Sequence, residues 1–271
     1  MFLLAVAALN DVELAALEEA LKTGQVQLVL DLLRLDRLGA ALAAPGSLKD
    51  LLRQALVGGA EATAAQAPAA LGIEVTFRQS HSAAVLWAER HAGDLIREVT
   101  EDQVATVRNL IAGAFRDGLP PRQAAKRIRE VVGLTRHQAG MVARFRARLE
   151  ADDVPAEAVD RRTARYAEAL LRRRALTIAR TETLRAANQG QRALWQQAVA
   201  DGQLDAAQWR EVWLVTMDDR LCAGICEPIP ELKENRDVPV GGSFVTGAGD
   251  EVDGPPAHPQ CRCAVALKRK D

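Results

Sequence analysis

Five side chains near the end of the chain have the types and spacing for metal chemistry. Cys222-x3-Cys226 and His258-x2-Cys261-x-Cys263 form two short knuckles separated by a long loop. Thiolates and imidazoles are the donors Zn²⁺ prefers, and a tetrahedral structural site takes four of them. Two knuckles brought together would close the loop between them and supply order that a short, Gly- and Pro-rich segment cannot draw from its own core. In an extended backbone Cys261 and Cys263 point to the same face, so both can reach one ion. Five candidates for four places leave the ligand set open. The spacing is irregular for a zinc module, with x3 in place of x2 and C-x-C in place of C-x-x-C. Burial as reduced thiols and disulfide pairing are therefore the competing readings.

A catalytic zinc is disfavoured. A deaminase-type site needs a Glu two residues beyond the ligand His and a P-C-x-x-C element. Gln260 occupies the first position and the second pattern is missing. H-E-x-x-H, G-x-S-x-G and P-loop patterns are missing too, and His81, His91, His137 and His258 are few from which to build a general base. The expectation is a protein that is not an enzyme.

A second group of residues is basic. Arg161, Arg162, Arg165, Arg172, Arg173, Arg174, Arg180, Arg185 and Arg192 decorate one helical run. At 100° per residue they wrap more than one face. The readings are a solvated, ion-paired helix, or contact of the first six with a phosphate backbone or an acidic partner surface. Scarce aromatic residues argue against single-strand recognition. Ile178-Ala-Arg-Thr-Glu182 is of another kind. Arg180, Thr181 and Glu182 read as structural, with Glu182 pairing to Arg185 at i+3 or across to another helix, and a buried Arg180–Glu182 network fixing helix packing.

The elements that must position these groups follow from composition and pattern. The chain has 271 residues, 48% apolar but only 4% aromatic, and a formal charge of −1. The apolar share excludes wholesale disorder, and a core of Leu, Val and Ala favours helix packing. Near-neutrality is a cancellation: residues 160–195 carry nine basic and three acidic side chains, and residues 196–271 carry eight and thirteen. The apolar Met1–Leu9 stretch is too short to span a bilayer and lacks a basic flank, so it reads as an arm that packs on this chain or a neighbour. No membrane association is expected, and the thiols start out reduced.

The spacing predicts a mainly α fold: a helical body with long helices and a small, loop-rich α+β C-terminal subdomain. Three stretches are expected, an N-terminal helical arm over 1–72, a helical body over 73–200 and the Cys/His-containing subdomain over 201–271. Asp11 caps a helix to about Lys22, a second runs from Gln25 to Ala43, and Ser47 caps a third. The small-residue stretch from Gly58 to Pro68 reads as frayed helix or linker, and Ile73–Phe77 as a weak strand. One helix from Ser82 ends near Thr100, where Thr100 and Gln103 have capping-box spacing for the next. Pro121 opens a helix closed by Gly133, Thr135 opens another, and Pro155 starts a long run to about Ala200 that bends or breaks at Asn188-Gln-Gly190. Glu211–Thr216 and Cys263–Leu267 are strand candidates.

Several short pieces together resemble the phage head morphogenesis family, minor head proteins similar to phage Mu protein F. They are Trp87-Ala-Glu-Arg-His-Ala, Gly118-Leu-Pro-Pro-Arg-Gln-Ala, Gly133-Leu-Thr-Arg-His-Gln-Ala, Ile178-Ala-Arg-Thr-Glu182 with Asn188, Asp218-Asp-Arg-Leu-Cys222 with Cys226, and Gly254-Pro-Pro-Ala-His-Pro-Gln-Cys-Arg-Cys263. Their order and the closing H-P-x-C-R-C carry the resemblance, from about Ile73 onward. Members usually have C-x-x-C followed by an Asp-Gly turn; here a residue is inserted and Pro228-Ile-Pro230 replaces the turn. The resemblance implies a structural virion protein, made in the host cytoplasm and held inside the capsid near the portal vertex. It implies several copies around a portal ring, contact with the portal protein and with major capsid protein or packaged dsDNA, and a role in head morphogenesis. The rival expectation is a zinc-dependent nuclease or toxin-like effector using Glu182 with the Cys/His end.

Overall fold

The computed structural model describes residues 2–9, 12–44, 46, 48–78 and 82–270. Among these it is mainly α, with nine helices and four short strands. The helices are α1 (Phe2–Leu9), α2 (Leu14–Lys22), α3 (Val26–Leu32), α4 (Leu35–Ala43), α5 (Leu48–Leu71), α6 (Ser82–Arg116), α7 (Pro121–Val131), α8 (Arg136–Ala151) and α9 (Ala156–Ala200). The strands are β1 (Trp209–Leu214), β2 (Phe244–Val245), β3 (Glu251–Val252) and β4 (Ala264–Arg269). No described helix is long and apolar enough to cross a membrane. The expected caps Asp11 and Ser47 lie outside the described residues.

The compact units are not consecutive in sequence. One comprises Met1–Leu48 with Ala92–Leu176, the other Lys49–His91 with Thr177–Asp271. The boundaries expected near 72 and 200 both fall inside the second unit. Composition marks stretches of chain, whereas packing joins distant ones.

In the first unit, α1 packs on α4 and α2 on α3 and α7. Val6, Leu9, Leu17, Leu33 and Leu38 are buried in that small helical layer. The Gln25–Ala43 helix expected as one piece is two, because Arg34 adopts a left-handed φ of 50° between α3 and α4. α7 buries Ala124, Ala125, Ile128 and Val131, and Thr135 caps α8 in a capping box with Gln138. The capping box expected at Thr100 does not form: α6 runs through it, Thr100 bonds back to the Ile96 carbonyl, and Gln103 is fully buried. Gln103 instead holds the turn after α7, accepting from Gly133 N at 2.6 Å and donating to Leu134 O at 2.7 Å. Gly133 has φ +89°, and a Cβ there would lie 2.7 Å from Leu171 Cδ1 and from Val6 Cγ1. Glycine meets both demands.

In the second unit, α5 lies directly on the later part of α9. A Cβ on Gly59 would collide with the Ala187 backbone, and one on Gly190 with the Leu56 carbonyl. The small-residue stretch from Gly58 is thus ordered helix, and Asn188-Gln-Gly190 leaves α9 continuous over 45 residues. Gly59 and Gly190 mark a close helix–helix crossing, not a linker or a break. Residues 73–78 form no strand. The buried Gln197 of α9 holds them, donating to Thr76 O at 2.7 Å and accepting from Arg78 N at 2.9 Å.

The C-terminal part of this unit pairs β1 with β4 antiparallel, Trp209 opposite Arg269 through Leu214 opposite Ala264. β2 pairs with β3. Its core is Trp213, Cys226, Ile229, Val238, Phe244, Cys261, Cys263 and Val265. Trp213 and Phe244 meet edge to face at 5.3 Å.

The crossing of α5 and α9 separates two glycines that look alike in sequence. Gly190→Ala lacks room and should destabilise the protein by about 1–3 kcal/mol. Gly58 is exposed, with nothing near its missing Cβ, so Gly58→Ala should stabilise by about 0.5–1 kcal/mol through helix propensity. Urea unfolding of the two variants checks the pair; equal effects would contradict the crossing.

Candidate metal centre

The five proposed ligands lie in the C-terminal subdomain, and three are brought together. One ligand atom each from Cys226, His258 and Cys261 lies within 4.8 Å of the others, a cluster that could hold a metal ion. Cys226 and Cys261 approach to 3.7 Å, sulfur to sulfur, without a covalent bond. Cys222 and Cys263 are outside this trio.

Local structure explains the placement. Cys226 N and Glu227 N both donate to Cys222 O, at 3.0 and 3.1 Å. The irregular x3 spacing is therefore one helical turn, which puts Cys222 and Cys226 on the same side. The second knuckle is a reverse turn closed by Cys261 N donating to His258 O at 3.1 Å, with Gln260 at φ +63°. Gln260 also seats the turn on α9, its backbone N–H donating to Thr181 Oγ1 at 3.0 Å and its side chain to Thr177 Oγ1 at 3.2 Å. His258 Nδ1 lies 2.9 Å from the Pro259 carbonyl; as donor there it leaves the Nε2 lone pair for a metal. Beyond the turn burial alternates, with Cys261 and Cys263 buried and Arg262 between them only half-buried. Arg262 grips Asp218 with both guanidinium nitrogens, the second bond 2.5 Å long. That partner holds the Asp218 carboxyl below its ordinary range.

The sulfur electrostatics favour a counter-cation. Bonding from the Cys263 thiol, with backbone N–H groups of Cys263 and Ala257, pulls Cys261 down to about 5 against the cost of burial. Burial and the neighbouring Cys261 push Cys226 up to about 12. Bonding to Cys261, then burial, raises Cys263 as well. One negative charge is stable here and a second is not, because like charges this close in an apolar core repel. A bound dication removes that repulsion, and soft sulfur with imidazole suits a zinc-like ion.

The remaining candidates sort by burial. Arg161, Arg162, Arg165, Arg172 and Arg173 are exposed. Arg172 pairs with Glu168 one turn away. Arg174 is not a surface contact: it is buried, donating to Gly133 O at 2.9 Å and to Asp102 at 3.0 Å, with its guanidinium over the Phe2 ring. With Arg174 turned inward, the five exposed arginines fall within an arc of about 120° at 100° per residue, so the run presents one basic face rather than several.

Thr181 and Glu182 are buried and structural in their contacts, Thr181 seating the Gln260 turn. Glu182 Oε2 sits 2.5 Å from His91 Nε2 and 3.3 Å from Arg185 Nε, satisfying both expected pairings. His91 also stacks on Trp87 at 4.8 Å. The expected Arg180–Glu182 network does not form. Arg180 is exposed, because residues two apart on a helix face away from each other.

Sequence reasoning missed the pair that anchors the subdomain. Arg192 of α9 and Glu211 of β1 are buried to 3% and 0% exposure and meet at 2.8 Å. Arg192 also donates to the carbonyls of Gly242 and Asp253, and Glu211 accepts from Gly241 N at 3.1 Å. Burial raises the Glu211 carboxyl while Arg192 opposes the rise. Only the buried-strand pattern of Val212, Trp213 and Val215 next to a charged residue hinted at it.

Comparison with family models, with curated proteins and with solved structures gives no match for this chain.

Removing Arg192 strands a buried carboxylate and two loop carbonyls. Arg192→Leu should cost about 3–5 kcal/mol, as breaking a buried pair from one side does. Loss of the near-UV circular dichroism of Trp213 should accompany it, with far-UV helicity retained. A variant of wild-type stability would show that the clamp carries nothing.

Proposed function

We propose that this chain is a phage minor head protein, acting in head morphogenesis at the portal vertex as a structural rather than catalytic component. The observation that carries the reading is that pieces of the family resemblance, far apart in sequence, touch in space. Trp87-Ala-Glu-Arg-His meets Ile178-Ala-Arg-Thr-Glu through His91 and Glu182. The same helix segment meets His-Pro-Gln-Cys-Arg-Cys through Thr181 and Gln260. Asp218-Asp-Arg-Leu-Cys meets that last motif through Asp218 and Arg262. Unrelated chance matches have no reason to be contact partners. Each pairing joins one element to another, which is architectural work.

The proposal includes a structural zinc ion in the C-terminal subdomain. The chain's part is to gather thiolate and imidazole donors on two turns, and the ion would supply the positive charge that lets more than one sulfur ionise. Its gain is greatest here because the subdomain contributes few large side chains of its own.

The basic face of α9 supplies a docking surface for a portal's acidic surface or for packaged dsDNA. Arg161, Arg162, Arg165 and Arg173 form no ion pair within the described residues, so their charge is available to a phosphate backbone or to carboxylates. On α1, Leu4 is 75% exposed, an apolar point for contact with a neighbouring subunit. Glu182, which a nuclease would need free, is engaged by His91 and Arg185.

Quantitative mass spectrometry of purified virions tests the reading. The chain should be present at portal-like abundance, far below the coat protein, and should co-purify with portal rings. Absence from virions, or coat-protein abundance, would overturn it.

A further inference from the structure

A tetrahedral zinc site takes four protein donors, and this subdomain offers five. We infer that the four are Cys226, His258, Cys261 and Cys263, and that Cys222 stands outside the set as a free thiol. This assignment rests on the zinc reading above.

Cys226, His258 and Cys261 already converge within 4.8 Å, so the question is which thiol completes them. Cys263 is buried at 3% exposure in the same apolar core as Cys226 and Cys261, two residues along the chain from Cys261 and in electrostatic contact with both sulfurs. Cys222 shares a helical turn with Cys226 and acts on it electrostatically, yet it is only partly buried, at the edge of the core rather than inside it.

The surroundings of the sulfurs separate the two further. Backbone N–H groups of Cys263 and Ala257 point at the Cys261 sulfur, and the Thr216 N–H points at the Cys263 sulfur. The Trp213 indole, 4% exposed, has no oxygen or nitrogen acceptor for its buried N–H and lies beside Cys263. A neutral thiol is a weak acceptor, whereas a thiolate accepts N–H groups well, so these donors favour an ionised, ligating sulfur at both positions. Charge balance agrees. Three thiolates and a neutral imidazole leave the zinc centre with one net negative charge, and a fourth thiolate in place of His258 would leave two in an apolar core.

Alkylation of the full chain loaded with Zn²⁺, mapped by mass spectrometry, tests the assignment without a variant. Iodoacetamide should label Cys222 alone while one zinc per chain is retained, and chelation should then open all four cysteines. Zinc competition with a chromophoric chelator adds a second readout. Cys222→Ser should bind within about twofold of wild type, and Cys263→Ser should bind at least about 100-fold more weakly. Protection of Cys222 with labelling of Cys263, or zinc loss in Cys222→Ser alone, would overturn the assignment and leave the zinc reading standing. A wild-type chain that takes up no zinc would overturn both.

Discussion

The constraint on which the C-terminal subdomain depends is the crowding of sulfur in its core. Three of its eight core side chains are cysteines, and two of their sulfurs lie 3.7 Å apart. Only one of them can carry a charge unaided. The rest of the subdomain is arranged around this cluster. Two turns deliver the donors, the β1–β4 pair backs them with Trp213 and Val265, and Asp218 and Arg262 close the outer side. A bound dication would turn the least comfortable part of the core into its strongest fastening.

A second polar device connects that core to α9. The Arg192–Glu211 pair is fully buried and reaches two loop segments at once, at Gly241-Gly242 and at Asp253, while Thr181 and Thr177 hold the metal-candidate turn from the same helix. Such pairs add little net stability compared with apolar replacements, but they punish misplacement heavily. Their effect is positional. They fix which turn of α9 each loop meets, and so where the donors stand. Gln103 and Arg174 do the equivalent around Gly133 in the other unit.

Much of the helical framework was legible because the signals were local. Pro121, Gly133, Thr135 and Pro155 each mark a helix end through their own backbone chemistry, and the strands around Trp213 and Val265 follow from β-branched and aromatic runs. The readings that failed share a cause. Gly59, Gly190 and Gln103 look like breaks or caps when only neighbours in sequence are considered. In the fold they answer partners more than a hundred residues away for Gly59, and about thirty for Gln103. Arg174 misled in the same way, being one arginine among many until burial separated it from the rest. The candidate site was half legible: donor types and the C-R-C alternation were plain, but which donors converge depends on the turn at Gln260 and its seat on α9.

Closure of this cluster by a metal ion is tested most directly by anomalous scattering. Crystals of the chain purified without chelator should show a single peak at the zinc edge, bounded by the sulfurs of Cys226 and Cys261 and the His258 ring. A structure with no anomalous peak there, and with Cys226 bonded to Cys261 or all four thiols free, would contradict it.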